Sequence, residues 1–105
     1  MINTKNKEDL RKKAQYMASI LKIISNDNRL MTICFLLEGK KSVGEITDFL
    51  QISQPAVSQM LLKMKEEGIL TSQNKAQKIF YEIKNQEIAN LIAQLQVFCE
   101  NTKLQ

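Results

Sequence analysis

Apolar residues recur every three or four positions over most of the first 68 residues, which is the spacing of a buried helix face. Breaks that contain Ser, Asn, Asp or Gly divide this pattern into segments, so we predict a run of α-helices. Residues 1–7 are polar and rich in lysine, and are expected to form a flexible tail. The predicted helices cover about 8–24, 27–38, 43–50 and 54–67.

Capping residues support the third and fourth helices. Ser42 precedes the third helix and Glu45 stands three positions after it, which is the spacing of a capping box. Ser53 is a good N-cap for the fourth helix, and Pro55 falls in its first turn, where a missing N–H removes no helical hydrogen bond. Gly68 is expected to end that helix. The two helices are therefore joined by a tight connection.

The pattern changes after Gly68, where β-branched and aromatic residues become frequent. We predict strands over 69–72 and 78–84, a polar hairpin tip over 73–77, and a last helix over 86–101. A short helix, a tight turn, a longer helix and a β-hairpin, in that order, form a winged helix-turn-helix. The predicted fold is therefore mainly α with a β-hairpin wing, in a single domain over residues 1–105.

The composition excludes several kinds of site. The chain has 15 basic and 11 acidic residues, a net charge of +4, which permits an anionic partner without identifying one. It has 0 His and 2 Cys, which excludes imidazole metal sites, histidine-dependent catalytic triads and sites with three or four cysteine ligands. The sequence shows no paired catalytic groups and no glycine-rich phosphate loop. We therefore expect no enzyme, no metal site and no cofactor.

No apolar run resembles a signal peptide or approaches the ~20 residues that span a bilayer. We therefore expect a cytoplasmic protein with no membrane partner, in which the cysteines are thiols rather than structural disulfides. The abundance of Lys, Asn and Ile is typical of a bacterial protein from an AT-rich genome.

The outward face of the fourth helix predicts DNA binding. Its first turns carry glutamine and serine, whereas an ordinary solvated helix, which is the alternative interpretation, carries more glutamate and lysine there. Glutamine pairs bidentately with adenine, and serine contacts a base edge or a phosphate. The residues of this helix that we expect to meet DNA are Ser53, Gln54, Ser58, Gln59 and Lys63.

Lysines outside this helix are placed to contact the phosphate backbone. Lys40 and Lys41 form a short basic turn before the third helix, and Lys75 and Lys78 lie on the predicted wing. Such contacts position a duplex without reading its sequence. For each lysine, a general role in solubility is an equal alternative. Double-stranded operator DNA is the partner that these residues predict.

Several short segments between residues 25 and 82 form a known combination. They are RL at 29–30, SVGEI at 42–46, SQPAVSQ at 53–59, GIL at 68–70 and IFY at 79–81, and SQPAVSQ is the most specific. In these segments the chain resembles the ArsR/SmtB family of winged-helix repressors. The resemblance implies that Gln54, Ser58 and Gln59 lie in the DNA groove.

The resemblance also implies a cytosolic homodimer joined through the first and last helices. The sequence favours the same arrangement, because the first helix is apolar on more than one side and therefore requires a second neighbour or a partner chain. Two recognition helices in successive major grooves also require a two-fold dimer. The expected interface residues are Leu10, Met17, Leu21, Leu91, Leu95 and Phe98.

Two departures from the family pattern limit what the resemblance implies. Metal-sensing relatives carry a Cys-x-Cys pair around the third helix or His and Asp in the last helix, and this chain has neither arrangement of thiols and imidazoles. Metal sensing at those two sites is therefore not expected. The wing tip also lacks the Gly and Arg that are common in relatives, so insertion of the wing into the minor groove is not expected.

The two cysteines lie on different helices. Cys34 is on the apolar face of the second helix and Cys99 on that of the last. Either one alone is readily explained as a small buried hydrophobic residue. The pair resembles the BigR/SqrR/HlyU-like group of the family, which responds to sulfane sulfur or oxidants. The resemblance implies that persulfides, polysulfides or oxidants crosslink Cys34 with Cys99 and release operator DNA.

Other functions remain open at the level of the sequence. The chain could be a regulator with purely structural cysteines, a two-thiol arsenite sensor, or an activator that displaces another DNA-binding protein. A different class of function is a winged helix used as a protein-interaction module. That module predicts weak binding to DNA without sequence preference.

Overall fold

The computed structural model describes residues 5–102. The chain forms five helices and three strands in this range. The helices are α1 (Lys7–Ile23), α2 (Asp27–Leu36), α3 (Val43–Leu50), α4 (Gln54–Glu66) and α5 (Gln86–Thr102). The strands are β1 (Lys41–Ser42), β2 (Leu70–Lys75) and β3 (Lys78–Ile83). The predicted winged helix-turn-helix is therefore confirmed, with one strand more than expected. Residues 1–4 of the predicted tail lie outside the described range.

Side-chain caps set the helix starts as the sequence indicated. The capping box of α3 is complete: the Glu45 N–H donates to Ser42 Oγ at 3.1 Å, and the Ser42 N–H donates to Glu45 Oε1 at 2.8 Å. The Ala56 N–H donates to Ser53 Oγ at 3.3 Å at the start of α4. Asn26 is the cap of α2, since its Oδ1 accepts from the Arg29 N–H at 3.1 Å. α2 ends at Leu36, two residues earlier than predicted.

The sheet is antiparallel with strand order β1-β3-β2. β1 pairs Lys41 with Tyr81 and Ser42 with Phe80. The predicted basic turn at Lys40 and Lys41 is therefore wrong for Lys41. A strand of two residues is too short to show an alternating pattern, and pairing with a distant strand creates it.

The wing hairpin is longer and its turn tighter than the predicted tip over 73–77. β2 and β3 stay paired out to Lys75 and Lys78, so only Ala76 and Gln77 form the turn. Both have positive φ, 53° and 66°, as a two-residue type I′ turn requires. Neither is the glycine or asparagine usual in such turns, which is why the sequence did not show how short it is.

The hydrophobic core lies where α2, α3, α4 and α5 meet the sheet. Its completely buried members include Ile33, Ile46, Val57 and Leu61. On α5 the core takes Ile88, Ala89 and Ile92, and it leaves the other apolar face of that helix uncovered. On α2 the buried side chains are those of Thr32, Ile33 and Leu36. Cys34, which the sequence places on the apolar face of this helix, is only partly buried, as are Leu30 and Leu37.

α1 buries none of its side chains within the chain. The radius of gyration is 15.7 Å, compared with about 13 Å for a typical domain of this length. Within residues 5–102, no helix is long and apolar enough to cross a membrane. α1 therefore packs only loosely on the fold, through the partly buried Ile20 and Ile23, whereas α5 is anchored by one face in the core.

Candidate DNA-binding surface and cysteine pair

The exposed face of α4 carries the polar residues that the sequence singled out. Val57, Leu61 and Met64 point into the core, which turns Gln54, Ser58, Gln59 and Lys63 to the outside. Ser53 is also exposed, and its hydroxyl caps the helix. α4 is thus held rigidly by one face while the other offers amide and hydroxyl groups, which is the form of a recognition helix.

A groove lies on each side of this face. The wing groove, about 350 Å³, separates α4 from the start of α3 and from β3. Its lining includes Gly44, Gln54, Ser58, Lys78 and Ile79. The α2–α4 groove, about 570 Å³, lies between α4 and the start of α2. Its lining includes Asn26, Asn28, Arg29, Gln59 and Lys63.

Arg29 fixes the floor of the α2–α4 groove. Its Nη1 donates to the carbonyl oxygen of Ile23 and to Glu67 Oε1, both at 3.0 Å. These two bonds join α2 to the end of α1 and to the end of α4. The relative position of α2 and α4 is therefore set by a charged, partly buried side chain as well as by the core.

The wing presents two lysines at its tip. Lys75 and Lys78 stand directly opposite each other in the hairpin, and both are exposed. Like charges opposite each other destabilise a strand pair, so an anionic partner at the tip relieves a repulsion that the free chain retains. This favours a phosphate contact over a general role in solubility.

The two lysines before α3 differ in their surroundings. Lys40 is exposed, with Nζ 6.0 Å from the centre of the Phe80 ring. Lys41 Nζ lies 4.4 Å from the centre of the Phe35 ring and 3.2 Å from Glu38 Oε1. The ammonium of Lys41 is therefore engaged in contacts within the chain, and only Lys40 is left free to meet a phosphate.

An apolar surface runs along α1 and α5. Tyr16, Met17, Leu21 and Leu91 line a cleft of about 240 Å³ between the two helices. Leu95 and Phe98 continue the surface along α5 and are 39% and 56% exposed. Leu10 is half-buried. Of the expected interface residues, Met17, Leu21 and Leu91 thus meet in one cleft, and Leu95 and Phe98 are exposed further along α5. Exposed apolar residues grouped in this way mark a binding surface.

Both cysteines are free thiols on neighbouring helices. Cys34 is half-buried and Cys99 is exposed, so neither is the fully buried core residue that a purely structural thiol would be. α2 packs against α5, and the Gln96 side chain, one turn before Cys99, lies close enough to the Cys34 thiol to influence its pKa. Burial raises the pKa of Cys34, and the polar side chain of Gln96 lowers it part of the way back.

A helix-turn-helix with an exposed polar second helix, followed by a wing with a basic tip, defines a DNA-binding protein of the winged helix-turn-helix class. Comparison with known proteins identifies the family within this class. Residues 26–72 match the model of bacterial regulatory proteins of the arsR family.

Relatives with known names match nearly the whole chain. The biofilm growth-associated repressor of Xylella fastidiosa is 38% identical over 98 residues, which cover 92% of this chain and 86% of the relative. The transcriptional activator HlyU of Vibrio cholerae is 31% identical over 96 residues, which cover 90% of this chain and 89% of the relative. The chain belongs to the ArsR family of bacterial transcriptional regulators.

Solved structures give the same answer. The transcriptional repressor BigR from Xylella fastidiosa has a TM-score of 0.80 at 36% identity, covering 89% of this chain and 95% of that one. Reduced HlyU from Vibrio cholerae has a TM-score of 0.81 at 31% identity, covering 88% and 98%. The family and these relatives are DNA-binding regulators and not enzymes, which confirms that expectation.

Some residues of the surface escaped the sequence interpretation. Asn28 and Arg29 lie in the α2–α4 groove, Ile79 lies in the wing groove, and Gln96 lies beside Cys34. Each comes from a segment far from the partner it meets. The only signal available in the sequence was helical spacing, which places Gln96 one turn before Cys99 but cannot place it next to α2.

Proposed function

We propose that this regulator is a homodimeric repressor that binds operator DNA through α4 and the wing, and that a bridge between Cys34 and Cys99 releases it. The observation that carries the DNA-binding part is the exposed face of α4, with Gln54, Ser58 and Gln59 on a helix fixed by its opposite side. Repression is favoured because the relative from Xylella fastidiosa, which has the higher identity of the two relatives compared, bears the name repressor.

The uncovered surface of α1 and α5 supports the dimer. α1 has no fully buried side chain and only Ile20 and Ile23 pack partly against the core, whereas helices in proteins take most of their stability from packing of an apolar face. A second copy that covers Met17, Leu21 and Leu91 supplies the missing burial. The two-fold axis then carries two α4 helices to successive major grooves, about 34 Å apart.

The thiol chemistry requires only the two cysteines and a persulfide. One thiolate attacks the outer sulfur of the persulfide, gains that sulfur and expels the remaining thiolate. The second cysteine then attacks the protein-bound sulfur of the new persulfide and expels hydrosulfide, which leaves a disulfide between Cys34 and Cys99. Overall, two protein thiols are oxidised and the persulfide is reduced to a thiol and hydrogen sulfide. A longer polysulfide bridge forms if additional sulfurs are retained.

The position of the pair supports this chemistry. Cys99 is exposed and open to a small sulfur species, while Cys34 faces the same part of α5 through its contact with Gln96. A bridge would tie α2, which packs on the helix-turn-helix, to α5, which carries the proposed dimer surface. The bridge would add a covalent constraint to the packing of α2 on α5, and the spacing of the recognition helices would change.

Gln54→Ala tests the DNA-binding part. We expect loss of one bidentate base contact, worth about 1–3 kcal/mol, together with loss of base preference at one operator position. The measurement is competition between a labelled duplex from the gene's own upstream region and duplexes with single base changes, at ~150 mM salt. Gln94→Ala, on the exposed surface of α5, is the matched control and should change nothing.

A protein-interaction module gives the opposite result in this experiment. Wild-type binding would be weak and nearly equal for all duplexes, and Gln54→Ala would leave the pattern unchanged. That outcome would refute sequence-specific recognition by α4.

The pH at which Cys34 becomes reactive should be higher in the folded chain than in the unfolded chain. Because its pKa is raised, its thiolate appears only at higher pH than in the unfolded chain, so alkylation by iodoacetamide should accelerate at higher pH. Gln96→Leu removes the polar side chain that lowers this pKa and should shift the curve further upward. Mass spectrometry of a Cys99→Ser background measures the rate at one thiol. Equal profiles for the folded and urea-unfolded chains would contradict the shift.

A further inference from the structure

The exposed face of α4 is bordered by the two grooves, and each groove is lined by different residues of this face. Gln54 and Ser58 open into the wing groove, and Gln59 and Lys63 open into the α2–α4 groove. The exposed helix therefore forms a ridge with a groove of a few hundred cubic ångströms along each side.

Duplex DNA presents the complementary shape. An α-helix with its side chains is about 10–12 Å across and fills a major groove about 12 Å wide. The two sugar-phosphate strands then run along opposite sides of the helix. A recognition helix that enters the groove deeply requires a place on each side for one strand. The backbone contacts predicted from the sequence lie on α4 itself, on the wing and before α3, and none lies on α2.

The chemistry of the α2–α4 groove suits a phosphodiester strand. Asn28 and Gln59 contribute amide groups and Lys63 an ammonium, and such groups make most protein contacts to phosphates and sugars. Arg29 holds α2 in place through Ile23 and Glu67, so the groove is formed before DNA arrives. Glu66, one turn after Lys63, also lines the groove and opposes a phosphate there, and apolar side chains, Met60 and Leu62 among them, complete the lining.

We propose that the α2–α4 groove binds one sugar-phosphate strand of the operator through Asn28, Gln59 and Lys63, while the wing groove binds the opposite strand with Lys78. This inference rests on the proposed DNA-binding function and adds α2 to the DNA contacts. The ligand is the phosphodiester backbone of duplex DNA. α2 then contacts DNA with its first turn and carries Cys34 about 9 Å further along the same helix.

Asn28→Asp tests the groove with a substitution of nearly equal size. A carboxylate at this position repels the phosphate, so operator affinity should fall about tenfold at ~150 mM salt. The fold is preserved because an acidic residue is favourable in the first turn of a helix. Asn90→Asp is the control, since it adds the same charge at an exposed position of α5 that lines neither groove.

Operators with a single neutral methylphosphonate in place of one phosphate locate each strand. A methylphosphonate on one strand should remove the Asn28→Asp penalty, because the repelled charge is gone. A methylphosphonate on the opposite strand should lower the operator affinity of the wild-type chain. It should not lower the affinity of Lys78→Ala, because that variant has already lost the contact to this phosphate. The salt dependence of Lys63→Ala should also become shallower by about one counterion.

The outcomes distinguish failure of the groove proposal from failure of the proposed DNA-binding function. Specific wild-type binding with equal affinities for Asn28→Asp and Asn90→Asp would overturn the α2–α4 groove as a strand site and leave the DNA-binding function intact. The groove proposal would also be overturned if methylphosphonates on the same strand changed the effects of both Asn28→Asp and Lys78→Ala. If the wild-type chain does not prefer its own upstream duplex, both the groove proposal and the proposed function fall.

Discussion

Serine at position 34 or 99 is expected to give a regulator that still binds its operator when reduced but that polysulfide no longer releases. A hydroxyl cannot form the bridging bond, so no covalent bond links α2 to α5. Reversing an equilibrium from about 99% bound to 99% free takes about 5.5 kcal/mol, or about 10⁴-fold in affinity. We expect the wild-type chain to lose affinity on that scale and each serine variant to change by less than about threefold.

Fluorescence anisotropy with a labelled upstream duplex at ~150 mM salt gives the affinities before and after polysulfide treatment. Mass spectrometry of the same samples shows whether a disulfide or a bridge with added sulfur has formed, and a reductant should restore wild-type binding. Cys34→Ala provides a second variant, because serine introduces a hydroxyl at a half-buried position. If both serine variants released DNA as readily as the wild-type chain, the thiol switch would be wrong.

The second large effect is expected from Leu91→Glu. Leu91 lines the cleft between α1 and α5, and a carboxylate there would lose its hydration in the proposed dimer without gaining a partner. The dimer should dissociate into 12.1 kDa chains. Each chain then binds one half-site alone, and the loss of linked binding should lower operator affinity by about 10²- to 10⁴-fold.

Sedimentation equilibrium measures the mass, and anisotropy measures the affinity. Asn90→Glu is the matched control, since it adds the same carboxylate at the preceding residue of α5. Circular dichroism should show no loss of helix content beyond that of α1, because α1 would lose the burial that the dimer supplies, whereas the core contacts of Ile88 and Ile92 are untouched. A Leu91→Glu protein that sediments as a dimer would refute the α1–α5 interface.

The fold was predicted from the sequence wherever a local signal determines structure. The capping box of Ser42 and Glu45 and the cap at Ser53 place α3 and α4 to the residue, because each bond joins positions three apart. β1 was missed because its hydrogen bonds go to β3, some 40 residues later. The wing turn was misjudged because Ala76 and Gln77 adopt positive φ without the usual sequence signal.

The candidate site was predicted only where a local sequence signal determines it. Helical spacing separates Gln54, Ser58 and Gln59 from the core face of α4, and their exposure follows from that spacing. Periodicity does not say which neighbour covers an apolar face: Ile92 and Leu95 both belong to the apolar pattern of the last helix, although Ile92 is buried and Leu95 is exposed. The grooves depend on how α2, α3 and β3 are arranged around α4, which no local pattern contains.

The contact between Cys34 and Gln96 has a consequence for stoichiometry. Both residues belong to one chain, so the proposed bridge would join Cys34 to Cys99 on its own α5, and each protomer of the proposed dimer would hold its own pair of thiols. Such a dimer would have three oxidation states: open, bridged in one protomer, and bridged in both. The intermediate form would bind one half-site normally and the other weakly. The proposed regulator would then respond to inducer in two steps, with a graded output over the range where one pair has reacted.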